Sequence, residues 1–223
     1  MKFLRDNGLS IFFGVLFLGA LALQAVSGHA DFNEEQRQHH ASEVSFGRYI
    51  TSAQFAGAVV ENWQSEYLQF ALFILVAIWF VQRGSTESKP VGQEGFESDE
   101  DQKIGEHAEP ESPLWARVGG IRRFVYSNSL LIVMALIFLA SWLAQSIAGW
   151  VEYSGRRLEH QMDAVSWWSY LGRADFWERT MQNWQSEFLA VGSVAILSVY
   201  LRQRGSPQSK PVGSPHHATG EEG

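Results

Sequence analysis

Two five-residue stretches carry the side chains most able to do chemistry. They are Asn62-Trp63-Gln64-Ser65-Glu66 and, 121 residues later, Asn183-Trp184-Gln185-Ser186-Glu187. On a helix the Asn and Glu of each stretch lie four apart and share a face, with the Trp beside it. Each stretch opens an apolar run, so each Glu is expected about one turn inside a membrane helix, near its outer boundary. A carboxylate costs about 2.5–3.5 kcal/mol at the centre of a bilayer and less toward the edge. It therefore needs a partner or a function. Gln24 and Gln145, themselves 121 apart, stand near the ends of the preceding apolar runs. Antiparallel neighbours would bring Gln24 level with Glu66 and Gln145 level with Glu187. The favoured expectation is a polar layer of Gln24, Glu66, Gln145 and Glu187 that locks the helices by hydrogen bonds. A carboxylate snorkelling to headgroups and a proton or cation site are the alternatives.

The elements that must position these residues are repeated too. Residues 3–92 align with residues 124–213 without a gap, and 29 of the 90 aligned positions are identical. Arg83-Gly84-Ser85 returns as Arg204-Gly205-Ser206, and Ser88-Lys89-Pro90-Val91-Gly92 as Ser209-Lys210-Pro211-Val212-Gly213. A fixed offset over that span reads as a tandem duplication, each copy one structural unit. Apolar residues gather in Leu9–Val26, Tyr67–Val81, Leu130–Ile147 and Phe188–Leu201, none holding Lys, Arg or Asp. Crossing about 30 Å of hydrocarbon takes about 20 helical residues. The first and third blocks nearly suffice, and the second and fourth do so when extended back to Asn62 and Asn183. The first block has the basic flank of a signal peptide, but its counterpart lies mid-chain, so an uncleaved helix is expected.

The fold expected is all-α: four transmembrane helices forming two parallel tandem hairpins, with short interfacial helices in the outer loops. Repeat 1 is residues 1–92, with membrane helices about 9–27 and 62–82. Residues 93–113 form an acidic linker of net charge −7, expected to be disordered. Repeat 2 is residues 114–205, with helices about 129–148 and 183–203, and residues 206–223 are a disordered tail whose first part, 206–213, still matches repeat 1. Asn7 and Asn128 suit helix N-caps, and Gly84 and Gly205 suit helix stops. The termini and linker hold eleven Lys and Arg against six in the two outer loops. That excess puts both termini in the cytoplasm.

Phe55, Val59 and Trp63, and likewise Phe176, Thr180 and Trp184, fall at helical spacing just before the second helix of each repeat. This predicts an amphipathic interfacial helix running into the membrane. Trp63, Trp184, Tyr49 and Tyr170 are the expected interface anchors, because an apolar ring with a polar tip suits that boundary. Ala140, Ala144 and Ala148 form a small-residue row suited to close helix packing.

The chain has no cysteine, which excludes disulfides, thiolate metal sites and a Cys nucleophile. Of the loop histidines His29, His39, His40 and His160, only His39 and His160 match across the repeats, and no zinc spacing is present. His216-His217 lacks further ligands. There is no hydrolase elbow, phosphate loop, dinucleotide fingerprint or nucleic-acid module. No enzyme activity, cofactor or nucleic-acid partner is expected. The partners expected are the lipid bilayer and a second membrane component, either another copy or a different protein.

The chain resembles a family of bacterial integral membrane proteins known only as a domain of unknown function. The resemblance rests on Asn7-Gly8-Leu9-Ser10, Gln24–Gly28, Asn33-Glu34-Glu35-Gln36, Asn62-Trp63-Gln64-Ser65-Glu66 and Gln82-Arg83-Gly84-Ser85. The second copy departs at Ser154-Gly155-Arg156-Arg157. The resemblance implies a bacterial integral membrane protein and supplies no activity, cofactor or catalytic residue. The location expected from the apolar helices and the Lys and Arg distribution is the bacterial inner membrane, multi-pass. The function expected is structural, accessory or interaction work in the cell envelope. A small oligomeric channel or transporter using Glu66 and Glu187 is the alternative.

Overall fold

The computed structural model describes residues 2–220 and is helical, with no strand among them. In chain order the α-helices are α1 (Lys2–Asp6), α2 (Gly8–Gln38), α3 (Phe46–Ile50), α4 (Ala53–Val76), α5 (Leu114–Arg117), α6 (Ile121–Ser127), α7 (Ser129–Glu159), α8 (Trp167–Leu171) and α9 (Ala174–Tyr200). The bounds of α2 and α7 are 121 residues apart at both ends, as are those of α3 and α8. α4 and α9 start 121 apart.

α2 and α7 have 31 residues each, and both are long and apolar enough to cross a membrane. At 1.5 Å per residue each is about 46 Å long, well beyond the hydrocarbon thickness. Only 6% of the most apolar stretch of α2 and 17% of that of α7 is buried. Both are thus largely uncovered by the rest of the chain. Both run eleven residues past the expected ends at 27 and 148. The extra turns hold Glu, Gln and Arg, which are good helix formers. They end at His40 (φ 55°) and Gln161 (φ 58°), each left-handed. The next amides reach back to close the turn, Ala41 N–H to the Gln36 carbonyl and Met162 N–H to the Arg157 carbonyl.

Asn7 and Asn128 do not cap α2 and α7 from the front. Their side chains donate to the carbonyls of Phe3 and Phe124, at 2.9 and 2.8 Å. They thus close the short helices α1 and α6 that precede them. The N-caps lie elsewhere: Ser45 for α3 and Ser166 for α8 accept from Arg48 N–H and Ser169 N–H, and Ser52 accepts from Phe55 N–H at the start of α4. α4 ends at Val76 and α9 at Tyr200, short of the expected 82 and 203. Gly84 (φ 86°) and Gly205 (φ 82°) are left-handed as a stop requires, but they sit in the turns beyond the helices.

Two compact units gather parts of both repeats: residues 1–60 with 144–170, and residues 61–143 with 171–223. In the first, α3 packs on α2. In the second, the segments expected to be a disordered linker and tail make defined bonds. Residues 93–113 hold a single 3-10 turn, Gly105–His107, and a Lys103–Glu109 ion pair at 2.7 Å. In the tail the Lys210 ammonium donates to the carbonyls of Pro215, His216 and Ala218, and Gly84 N–H donates to Thr219 Oγ1. Lys89 acts alike in repeat 1, reaching the Gly95 carbonyl and pairing with Glu97. In both repeats this matched lysine is thus bonded to a carbonyl of the segment that follows it.

Candidate functional site

In the unit of residues 61–143 and 171–223, the Asn-Trp-Gln-Ser-Glu stretch on α4 meets its counterpart on α9. Trp184 Nε1–H donates to Gln64 Oε1 at 2.7 Å, and Ser65 Oγ lies 3.2 Å from Glu187 Oε1. One turn earlier Arg179 pairs with Glu61 at 3.0 Å and with Asp175 at 3.6 Å. Gln64 is 0% exposed, yet its Nε2 has no hydrogen-bond partner. Helix geometry dictates this grouping. Residues 61, 64 and 65 share one face of α4, and 180, 184 and 187 share one face of α9. An aromatic stack backs the polar pair: Trp142 lies 5.7 Å from both Phe138 and Trp184 and 6.0 Å from Phe176. The Trp142 indole N–H reaches Thr180 Oγ1 at 3.4 Å, so the apolar wall is itself tied to α9.

The four residues expected to form one layer are divided. Gln24 and Gln145 belong to one compact unit, Glu66 and Glu187 to the other. Gln145 is buried and both its amide atoms lack a hydrogen-bond partner. Gln24 is half-buried and Glu66 is exposed. The side-chain partner of Glu187 is Ser65 rather than a glutamine. Gln64 carries no charge and was not among the residues expected to form the layer. The signal that could have found it was its position on the same face as Leu68 and Ala71, both buried.

The expected interface anchors also part company. Trp63 is half out of the protein, while Trp184 is engaged with Gln64. Tyr49 and Tyr170 are buried within the protein. Each lies buried across a helix glycine, Tyr49 over Gly28 and Tyr170 over Gly149. A Cβ on either glycine would stand 3.1 Å from the tyrosine Cζ and closer still to its hydroxyl. The absent side chains at 28 and 149 are what let the rings settle on the helices.

Next to each ring the loop is held by one backbone carbonyl. In repeat 1 the Val44 carbonyl accepts from Asn33 Nδ2 at 3.0 Å and lies 2.8 Å from His29 Nε2, while Val44 N–H donates to Asn33 Oδ1. In repeat 2 the Val165 carbonyl accepts from Trp150 Nε1 at 2.6 Å and from Ser154 Oγ at 3.5 Å. All three positions correspond at the offset of 121. Among the described residues no group of His, Asp and Glu could hold a metal ion. His216 Nδ1 lies 3.1 Å from the Val199 carbonyl, a bond within the tail turn.

No curated protein and no solved structure matches the chain. A family described as Domain of unknown function (DUF6766) matches residues 1–221. With that match running over nearly its whole length, the chain, itself helical, belongs to this family.

Proposed function

We propose that the chain is a four-span protein of the bacterial inner membrane, built from two parallel duplicated hairpins with both termini cytoplasmic, and that it acts as a structural or interaction component of the cell envelope. Two spans are α2 and α7. The other two are the apolar ends of α4 and α9, helices of 24 and 27 residues, or about 36 and 40 Å. The observation that carries the reading is where the matched residues go. Gly28 and Gly149, Tyr49 and Tyr170, Val44 and Val165, and Lys89 and Lys210 all serve to hold loops to helices or to themselves. A chain whose shared residues are spent on shape is suited to presenting a fixed surface to a membrane partner. Reporter fusions at Ser42, Gly105 and the C-terminus test the topology, since an active cytoplasmic reporter at Ser42 refutes it. Crosslinking in native membrane followed by purification of the full chain tests the role. A stoichiometric partner supports it, and a chain recovered only as a monomer refutes it.

A second reading, a small oligomeric channel or transporter, draws on the meeting of Ser65 with Glu187 and the exposure of Glu66. Proton or cation flux in proteoliposomes that vanishes in Glu187→Gln would favour it over the first.

A further inference from the structure

We propose that Glu187 is a proton-binding group whose protonation is read by the Ser65 hydroxyl, and that the adjacent Gln64 amide holds a water at the same place. The argument is a count of hydrogens. Ser65 Oγ lies 3.0 Å from the Asn62 carbonyl and 3.2 Å from Glu187 Oε1. Both are acceptors when Glu187 is ionised, and the hydroxyl has one hydrogen to give. With Glu187 ionised, Ser65 turns to the carboxylate and leaves the Asn62 carbonyl. With Glu187 protonated, the carboxyl O–H donates to Ser65 Oγ and the hydroxyl hydrogen returns to the Asn62 carbonyl. One proton enters, two donors serve two acceptors, and nothing else is consumed.

The second repeat supplies the reference state. Ser186, the counterpart of Ser65, is exposed and donates to the Asn183 carbonyl at 2.7 Å, away from any carboxylate bond. The back-bond is thus the resting choice of this serine on this helix, and Glu187 is what competes with it at Ser65.

Gln64 adds an independent mark. Trp184 Nε1 can only donate, so the Gln64 atom facing it is the carbonyl oxygen and the orphan is the NH2 group. A fully buried donor beside an ionisable pair calls for an oxygen acceptor. Water meets that need and can pass its own hydrogens to a carboxylate. A metal cation does not, because it would face the N–H hydrogens.

The charged surroundings are few. Glu66 on α4 is the near carboxylate. Glu61 is taken up by Arg179, which also holds Asp175. Residues 129–143 of α7 contain no ionisable side chain. The assignment stands whether the protein is a scaffold or a conductor, because it needs only the bonds named above.

Infrared difference spectra of the full chain in lipid, acid minus neutral, test it. The wild type should show a carboxyl band that is lost in Glu187→Gln, kept in Glu66→Gln and shifted in frequency in Ser65→Ala, where its acceptor is gone. Far-ultraviolet dichroism of each variant guards against loss of fold. Spectra of Glu187→Gln and Ser65→Ala that superimpose on the wild type overturn the proposal. So does a band that follows sodium concentration at fixed pH, which would make the site a cation site.

Discussion

A methyl group at position 149 gives the sharpest test of how the loops are held. In Gly149→Ala the new Cβ meets Tyr170 Cζ at 3.1 Å and its hydroxyl more closely still. Tyr170 is 1% exposed and has no room to retreat. Overpacking of this kind costs about 1–3 kcal/mol. The same helix provides its own control, since a Cβ on Gly155 would have nothing within 4 Å. Ala at a helix interior gains about 0.8–1 kcal/mol over Gly through backbone entropy. That gain is common to both variants and cancels between them. Gly149→Ala should therefore fall below Gly155→Ala by about the overpacking cost, ~1–3 kcal/mol, with Gly155→Ala at or above the wild type. Thermal melts of both in one detergent measure the order. Adding Tyr170→Phe to Gly149→Ala removes the closest atom and should recover part of the loss. If Gly149→Ala melts with or above Gly155→Ala, the ring does not hold the loop as described.

Three further outcomes follow from the same geometry. Asn33→Ala removes the two-way bond to Val44 from a buried position and should cost about 1–3 kcal/mol, whereas Ser154→Ala loses only a 3.5 Å contact beside the Trp150 bond and should melt close to wild type. Gly84→Ala and Gly205→Ala both strain a left-handed backbone, but only at Gly84 would a Cβ collide with the His216 carbonyl and meet Val199 Cγ1 at 3.0 Å, so Gly84→Ala should be the more damaging in paired melts. The hydrogen bond from Lys89 holds the Glu97 carboxyl below the usual carboxylate range. Its contribution is complete above the ordinary value and is lost as pH falls through the lowered one, so melts of Glu97→Gln should lack that acid-side loss.

The offset of 121 residues made the main elements legible, because a helix in one copy implies its twin. That is why α2 with α7, and α4 with α9, could be anticipated as pairs, whereas the short helices α3 and α8 were not expected. What the sequence concealed lay where polarity and structure part. Residues 28–38 read as loop because Asn33-Glu34-Glu35-Gln36 is hydrophilic, yet these residues extend a helix well and a left-handed turn at His40 ends it. Asn7 has the composition of a cap but faces backward, a choice made by the helix before it. Tyr49 and Tyr170 fit the profile of interface residues, and only their placement over glycines reveals them as packing elements. The glutamates drew attention by charge, while the buried amide of Gln64 is invisible to any count of charge.

The paired grip on Val44 and Val165 bears on how the two halves have diverged. One half holds its carbonyl with an imidazole and an amide, the other with an indole and a hydroxyl. Both donors differ between the two positions, and the act of donation is the same. What the two positions share is a bond rather than a residue. Substituting His29→Trp alone would set a large ring beside an Asn that evolved with a small one. Moving residues 150–170 as a block into positions 29–49 carries the donors, the acceptor and the ring together. Segment exchange between the copies should therefore succeed where single-residue exchange fails, and the boundaries of the smallest tolerated block would mark the true module of this duplication.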